Sequence, residues 1–194
     1  MDISGHASTV LAGMGEQVVP YLVRALREER SDTRERLLTT LGMMGPAAEQ
    51  AIPDISALLL DESSNIRVTA AATLVNIDCE RRVEAWPTLL AALDGDAFSA
   101  SMAASTIGYL GADGAAAVPA LARLLGNRDR EVRLRAISAL RNIGPTARAA
   151  IPALEEAAKE NGPVGAAALG TIEKIKGGAS VPSCSDRRRH ARPQ

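Results

Sequence analysis

Gly111-Ala-Asp-Gly-Ala-Ala-Ala-Val-Pro119-Ala-Leu-Ala-Arg-Leu-Leu125, then Gly126-Asn-Arg-Asp-Arg-Glu131, then Val132-Arg-Leu-Arg-Ala-Ile-Ser-Ala-Leu-Arg-Asn-Ile-Gly144, is the stretch that decides the fold. In its first part Val118, Leu121, Leu124 and Leu125 fall on one stripe of a helix. In its last part Val132, Ala136, Ile137, Leu140 and Ile143 fall on one stripe of a second helix. Asp129 stands where a carboxylate can accept the free N–H groups of that second helix. Gly144 stands where a left-handed residue ends it at low cost. The unit is a helical hairpin.

The same grammar runs outward in both directions. Pro20, Pro53, Pro87, Pro119 and Pro152 lie about 33 residues apart, and each follows an apolar residue. Repeat one reads Val19, Leu22 and Leu26, then Leu37, Leu38, Leu41 and Met44. Repeat two reads Ile52, Ile55, Leu58 and Leu59, then Ile66, Ala70, Ala71, Leu74 and Ile77. Repeat three reads Trp86, Leu89 and Leu93, then Ala103, Ala104, Ile107 and Leu110, which places Trp86 in the core. Repeat five reads Ile151, Leu154 and Ala157, then Ala168, Leu169, Ile172 and Ile175. Proline is tolerated in a first turn and bends a helix elsewhere. A short initial turn followed by a main helix from the apolar-Pro pair is expected.

Ala-Ile-Pro53, Ala-Val-Pro119 and Ala-Ile-Pro152, with Ile66-Arg67 and Val132-Arg133 opening second helices, make residues 4 to 177 resemble the HEAT-repeat family. The resemblance is to the short bacterial type grouped with phycobilin-lyase HEAT-like repeats. It implies an all-α fold: a right-handed α-solenoid of about five helical hairpins plus an N-terminal half-repeat. It also implies a ladder in which an acidic or amide residue before the second helix (Glu28, Asp61, Asp94, Asn127) pairs across repeats with an arginine (Arg34, Arg67, Arg133). Ala100 takes the arginine position in repeat three, so the ladder should break there.

The chain divides into the solenoid, residues 1–177, and a basic tail, 178–194, read as disordered. Residues 4–14 match only a second helix, an uncapped end through which association is conceivable. With aromatics at 2%, the core must come from many small aliphatic contacts between neighbouring repeats. The net charge of −1 offers no global field towards nucleic acid or a membrane. Cys79 and Cys184 do not make a disulfide framework, so a free, inert Cys79 and a cytoplasmic location are expected. The N-terminus lacks the pattern of a signal peptide, and Gly and Pro interrupt every apolar stretch short of a membrane span.

Catalytic and metal chemistry finds no constellation. His6 and His190 stand at opposite extremities, so neither a metal set nor a nucleophile–histidine pair assembles. The absence of a His-Glu dipeptide separates the chain from the HEAT-repeat hydroxylase. Asp94 with Asp96, and Glu155 with Glu156, read as loop and surface charges. No enzyme activity and no cofactor are expected.

In HEAT-type solenoids the second helices line the inner surface, and positions off their apolar stripes face a partner. Here these include Met43, Ala72, Val75, Asn76, Met102, Ser105, Tyr109, Arg135, Ser138, Arg141 and Asn142. An apolar centre with charged edges suits a protein or peptide better than nucleic acid, which wants a continuous basic stripe. The expected function is therefore a protein-interaction scaffold. Nucleic-acid binding through groove arginines and the tail, and an accessory role of the bilin-lyase kind, are the alternatives.

Overall fold

A computed structural model describes residues 13–28, 31–178 and 182–183, and every regular element among them is helical. Five helical hairpins follow one another. They are α1 (Val19–Glu28) with α2 (Ser31–Met44), and α3 (Ile52–Ala57) with α4 (Ser64–Ile77). Next come α5 (Arg82–Leu93) with α6 (Ala97–Leu110), and α7 (Val118–Leu124) with α8 (Arg130–Ile143). The last pair is α9 (Ile151–Ala157) with α10 (Pro163–Gly177). The half-repeat expected at residues 4–14 and the tail from 178 lie almost wholly outside the described residues.

The prolines mark helix starts in four of the five hairpins. Pro20, Pro53, Pro119 and Pro152 are each the second residue of their helix, where no N–H partner is needed. The expected initial turn is a seven-residue 3-10 segment at Gly45–Ala51, Gly111–Ala117 and Gly144–Ala150. Gly45, Gly111 and Gly144 open those segments at positive φ, a conformation in which a Cβ would be strained. Repeat three departs from this. α4 ends without a glycine, and Asp78 accepts the Glu80 N–H at 3.1 Å to cap a short turn instead. Helix α5 then starts early, at Arg82, and Pro87 falls in its interior, with no N–H to offer the Val83 carbonyl.

Contacts divide the chain between Thr88 and Leu89 into two units. In the first, α2 lies against α4, and Leu38, Leu41, Ile55, Ile66 and Leu74 are fully buried between the hairpins. In the second, α8 lies between α6 and α10, and Leu89, Ile107, Leu110, Leu121 and Leu140 are fully buried. Each such side chain contributes about 1.5–3 kcal/mol of transfer free energy. Small residues let the helices close. A Cβ on Gly108 would stand 2.9 Å from the Cα of Ala139, so α6 and α8 touch nearly backbone to backbone.

Two core assignments are corrected. Trp86 is only half-buried, and Ala85 beside it is fully buried, as Ala51, Ala117 and Ala150 are in their own repeats. Leu169 is 54% exposed although its counterpart Ile137 is 1% exposed, because α10 packs on α8 along one side and leaves Leu169 uncovered on the other. A third expectation also changes: Cys79 is disulfide-bonded, not a free thiol. The other cysteine, Cys184, lies outside the described residues.

The arginine ladder forms one rung in each unit; Arg67 instead donates to the Asp61 and Glu62 carbonyls of its own loop, and Asp94 pairs with Arg123 at 2.9 Å. Arg34 meets Asp61 of the next repeat at 3.2 Å and donates to the Leu26 carbonyl. Arg133 meets Glu160 at 3.3 Å and donates to the carbonyls of Asn127 and Arg128. Arg133 thus closes its own inter-helix loop, Arg34 holds the end of its own first helix, and both clasp the following loop. The rung expected to fail does so on both sides. Ala100 is buried, and Asn127 accepts the Asp129 N–H of its own loop at 2.8 Å. On the first helices of the first two hairpins Arg27 donates twice to Asp54, and that hydrogen bond, with the carboxylate charge, raises the arginine's pKa above its ordinary value.

Candidate functional site

The face shared by α6 and α8 in the second unit is built by their first turns. Asp96 caps α6 by accepting the Ser99 N–H at 2.8 Å, and Asp129 caps α8 by accepting the N–H groups of Glu131 and Val132. The Ser99 backbone N–H bond holds the Asp96 carboxyl below the usual carboxylate range. Between Ala97 and Leu110 α6 carries no charged side chain. Along it Phe98, Met102, Ser105 and Tyr109 recur at helical spacing. Phe98 is 43% and Tyr109 46% exposed, and Met102 is half-buried.

A shallow depression of about 380 Å³ opens on this face. Ala97, Phe98, Ser101, Met102 and Ser105 line it from α6, and Asp129, Glu131 and Arg135 from the start of α8. Glu131 and Arg135 pair across one turn at 2.7 Å. Farther along α8, Ser138 and Arg141 are exposed and Asn142 is partly so. Arg141 has no carboxylate partner among the described residues. Tight packing at Gly108–Ala139 holds the two helices so that both stripes flank one cleft.

Of the residues expected from sequence, Met102, Ser105 and Arg135 come together in the depression. Tyr109, Ser138, Arg141 and Asn142 continue the same two helices. Met43 and Asn76 belong to the first unit, where both are exposed and Asn76 Nδ2 lies beside Gly42. Ala72 and Val75 do not line a surface. Val75 is fully buried and Ala72 is 7% exposed. The reason is packing: α2 lies against α4, and Thr73 of α4 donates to the Leu38 carbonyl of α2 at 3.0 Å. Phe98, Ser101, Asp129 and Glu131 were missed. The signal was available for Phe98, which continues the Met102, Ser105 and Tyr109 stripe by one turn.

A second depression, of about 450 Å³, lies among Ala122, Leu125 and Gly126 on one side and Ala153, Glu156, Lys159 and Glu160 on the other. Its charges are already used: Glu156 by Lys159 and Glu160 by Arg133. Among the described residues no group of His, Cys, Asp and Glu is placed to hold a metal, and no helix is long and apolar enough to cross a membrane.

Comparison with known proteins defines the class. Residues 86–173 match the family model for HEAT repeats. A designed armadillo repeat protein in complex with the peptide (KR)4 superposes with a TM-score of 0.67 at 18% identity, covering 88% of this chain and 90% of that one. Computationally designed armadillo repeat proteins for modular peptide recognition give 0.63 at 19% identity, over 87% and 90%. An engineered protein of the Northeast Structural Genomics Consortium gives 0.63 at 21% identity, over 91% of both chains. At such identities the likeness carries the fold alone. Residues 86–173 are thus similar to HEAT repeats, and the fold is like that of designed armadillo repeat proteins, while the bilin-lyase subtype draws no support from these neighbours. No curated protein matches the sequence.

Proposed function

We propose that this chain is a non-enzymatic interaction module and that the α6–α8 face is where it contacts a protein or peptide segment. One observation carries the reading: an uncharged helix presents Phe98, Met102 and Tyr109 to solvent beside a charged helix, with an open depression between them. Exposed aromatic and methionine side chains with a polar rim are the composition of an interface centre. That some solved neighbours are described with a peptide, or as built for peptide recognition, supports the same reading. Nucleic acid fits this face less well, because α6 is uncharged and two of the four α8 arginines, Arg133 and Arg135, are engaged by carboxylates.

The test is affinity capture with the full chain and with Met102→Asp plus Tyr109→Ala, both helical by circular dichroism. Loss of the captured partner from the double variant supports the face. Equal recovery overturns it. A steep fall in binding between low and high salt, with DNA or RNA as the captured species, would favour the nucleic-acid alternative.

A further inference from the structure

The charges around this depression are unevenly spent. Glu131 is neutralised by Arg135, Asp129 is occupied as a helix cap, and Arg133 is held by loop carbonyls and Glu160. Arg128 and Arg130 are exposed as well, but they stand at the loop end of α8 and do not line the depression. At the other end of α8, Arg141 is exposed with no carboxylate partner among the described residues. The face therefore has an apolar seat at one end and an unspent guanidinium at the other. Ser105 and Ser138 between them are small and exposed, and their hydroxyls, with the Asn142 amide, can bond to a passing backbone.

We propose that this cleft takes a short acidic peptide segment lying along α6 and α8, with one apolar side chain in the depression and a carboxylate held by Arg141. The spacing follows from geometry. Arg141 lies six residues beyond Arg135, or about 9 Å of helix rise. An extended chain advances about 3.3 Å per residue, so the carboxylate falls about three residues from the apolar anchor. A planar guanidinium matches a carboxylate with two parallel hydrogen bonds, and it repels a lysine or arginine in the same place. The inference rests on the reading of the α6–α8 face as a contact surface and adds the chemistry of its occupant.

The experiment selects phage-displayed random heptapeptides on the immobilised full chain. The strongest selected peptide is then labelled and titrated by fluorescence anisotropy against the full chain, Arg141→Glu and Met102→Asp. The expected result is enrichment of an aliphatic or aromatic residue followed or preceded at about three positions by Asp or Glu. Binding should weaken about fivefold to tenfold in Arg141→Glu, more at low salt than at high, as for a charge at an interface rim. Replacing the peptide's acid with lysine should restore part of the affinity for Arg141→Glu. If peptides are lost with Met102→Asp but are unmoved by Arg141→Glu, or are basic, the acidic assignment falls and the contact surface stands. If neither variant matters, or nothing is enriched, both fall.

Discussion

At the scale of single residues, the same substitution should have opposite signs at two glycines. Gly108→Ala places a methyl 2.9 Å from the Ala139 Cα and 3.2 Å from its Cβ, so α6 and α8 must separate. Overpacking of this kind costs about 1–3 kcal/mol. Gly170 sits in the interior of α10, where an added methyl would meet nothing within 4 Å, and there alanine should gain about 0.5–1 kcal/mol from helix propensity. Urea unfolding of the two variants checks both signs. Asp96 gives a pH-dependent counterpart. Asp96→Ala should cost about 1 kcal/mol at neutral pH, and Asp96→Asn much less, since an amide oxygen also accepts the Ser99 N–H. Because the folded carboxyl titrates below its unfolded value, its contribution is present above about pH 4 and is lost as the pH falls through the folded value. The advantage of wild type over Asp96→Ala should therefore shrink on acidification, measured by denaturation from pH 7 to pH 3. An advantage constant over that range would remove the charged cap from the account.

At the scale of elements, the ladder predicts which loop carboxylates matter. Asp61→Asn takes the charge from the partner of Arg34 and should cost about 1 kcal/mol, at the upper end for exposed pairs because both side chains are partly covered. Asn127→Asp adds a charge where Ala100 offers no cation, and it should fall within about 0.5 kcal/mol of wild type. Comparison of their unfolding midpoints decides the point. The hairpins themselves were legible because their stripes are periodic and their ends chemically marked: Asp129 caps and Gly144 closes as read. The candidate site was legible only in part, since burial depends on what a neighbouring element covers. Val75 and Arg141 occupy equivalent positions in their helices, yet one is enclosed and the other exposed. Trp86 was misplaced because Pro87 fixed the alignment, whereas the helix around it had begun a turn earlier.

At the scale of the whole molecule, a repeat fold gains stability from nearest neighbours, so each helix is as secure as the faces it shares. Helix α8 is packed on both sides, whereas α10 leaves Leu169 open. Ile137→Ala should cost about 2–5 kcal/mol, and Leu169→Ala well under 1 kcal/mol, because one side chain is fully enclosed and the other largely wet. Hydrogen exchange should show α10 amides opening at lower free energy than those of α8. Equal protection of the two helices would contradict this. The location of the protein stands differently after the structure: the expectation of a reducing cytoplasm leaned on a free Cys79, and a bonded Cys79 withdraws that support.

The rung missing between repeats three and four has a further consequence. Arginine at position 100 without an acid at 127 would leave a guanidinium confined with half of its bonds, and aspartate at 127 without that arginine has nothing to answer. The two positions are therefore epistatic: neither step towards a complete ladder improves stability by itself, and only the pair does. The level route to a complete rung therefore runs through aspartate at 127 first and arginine at 100 second, and the reverse order passes through a confined, half-bonded guanidinium.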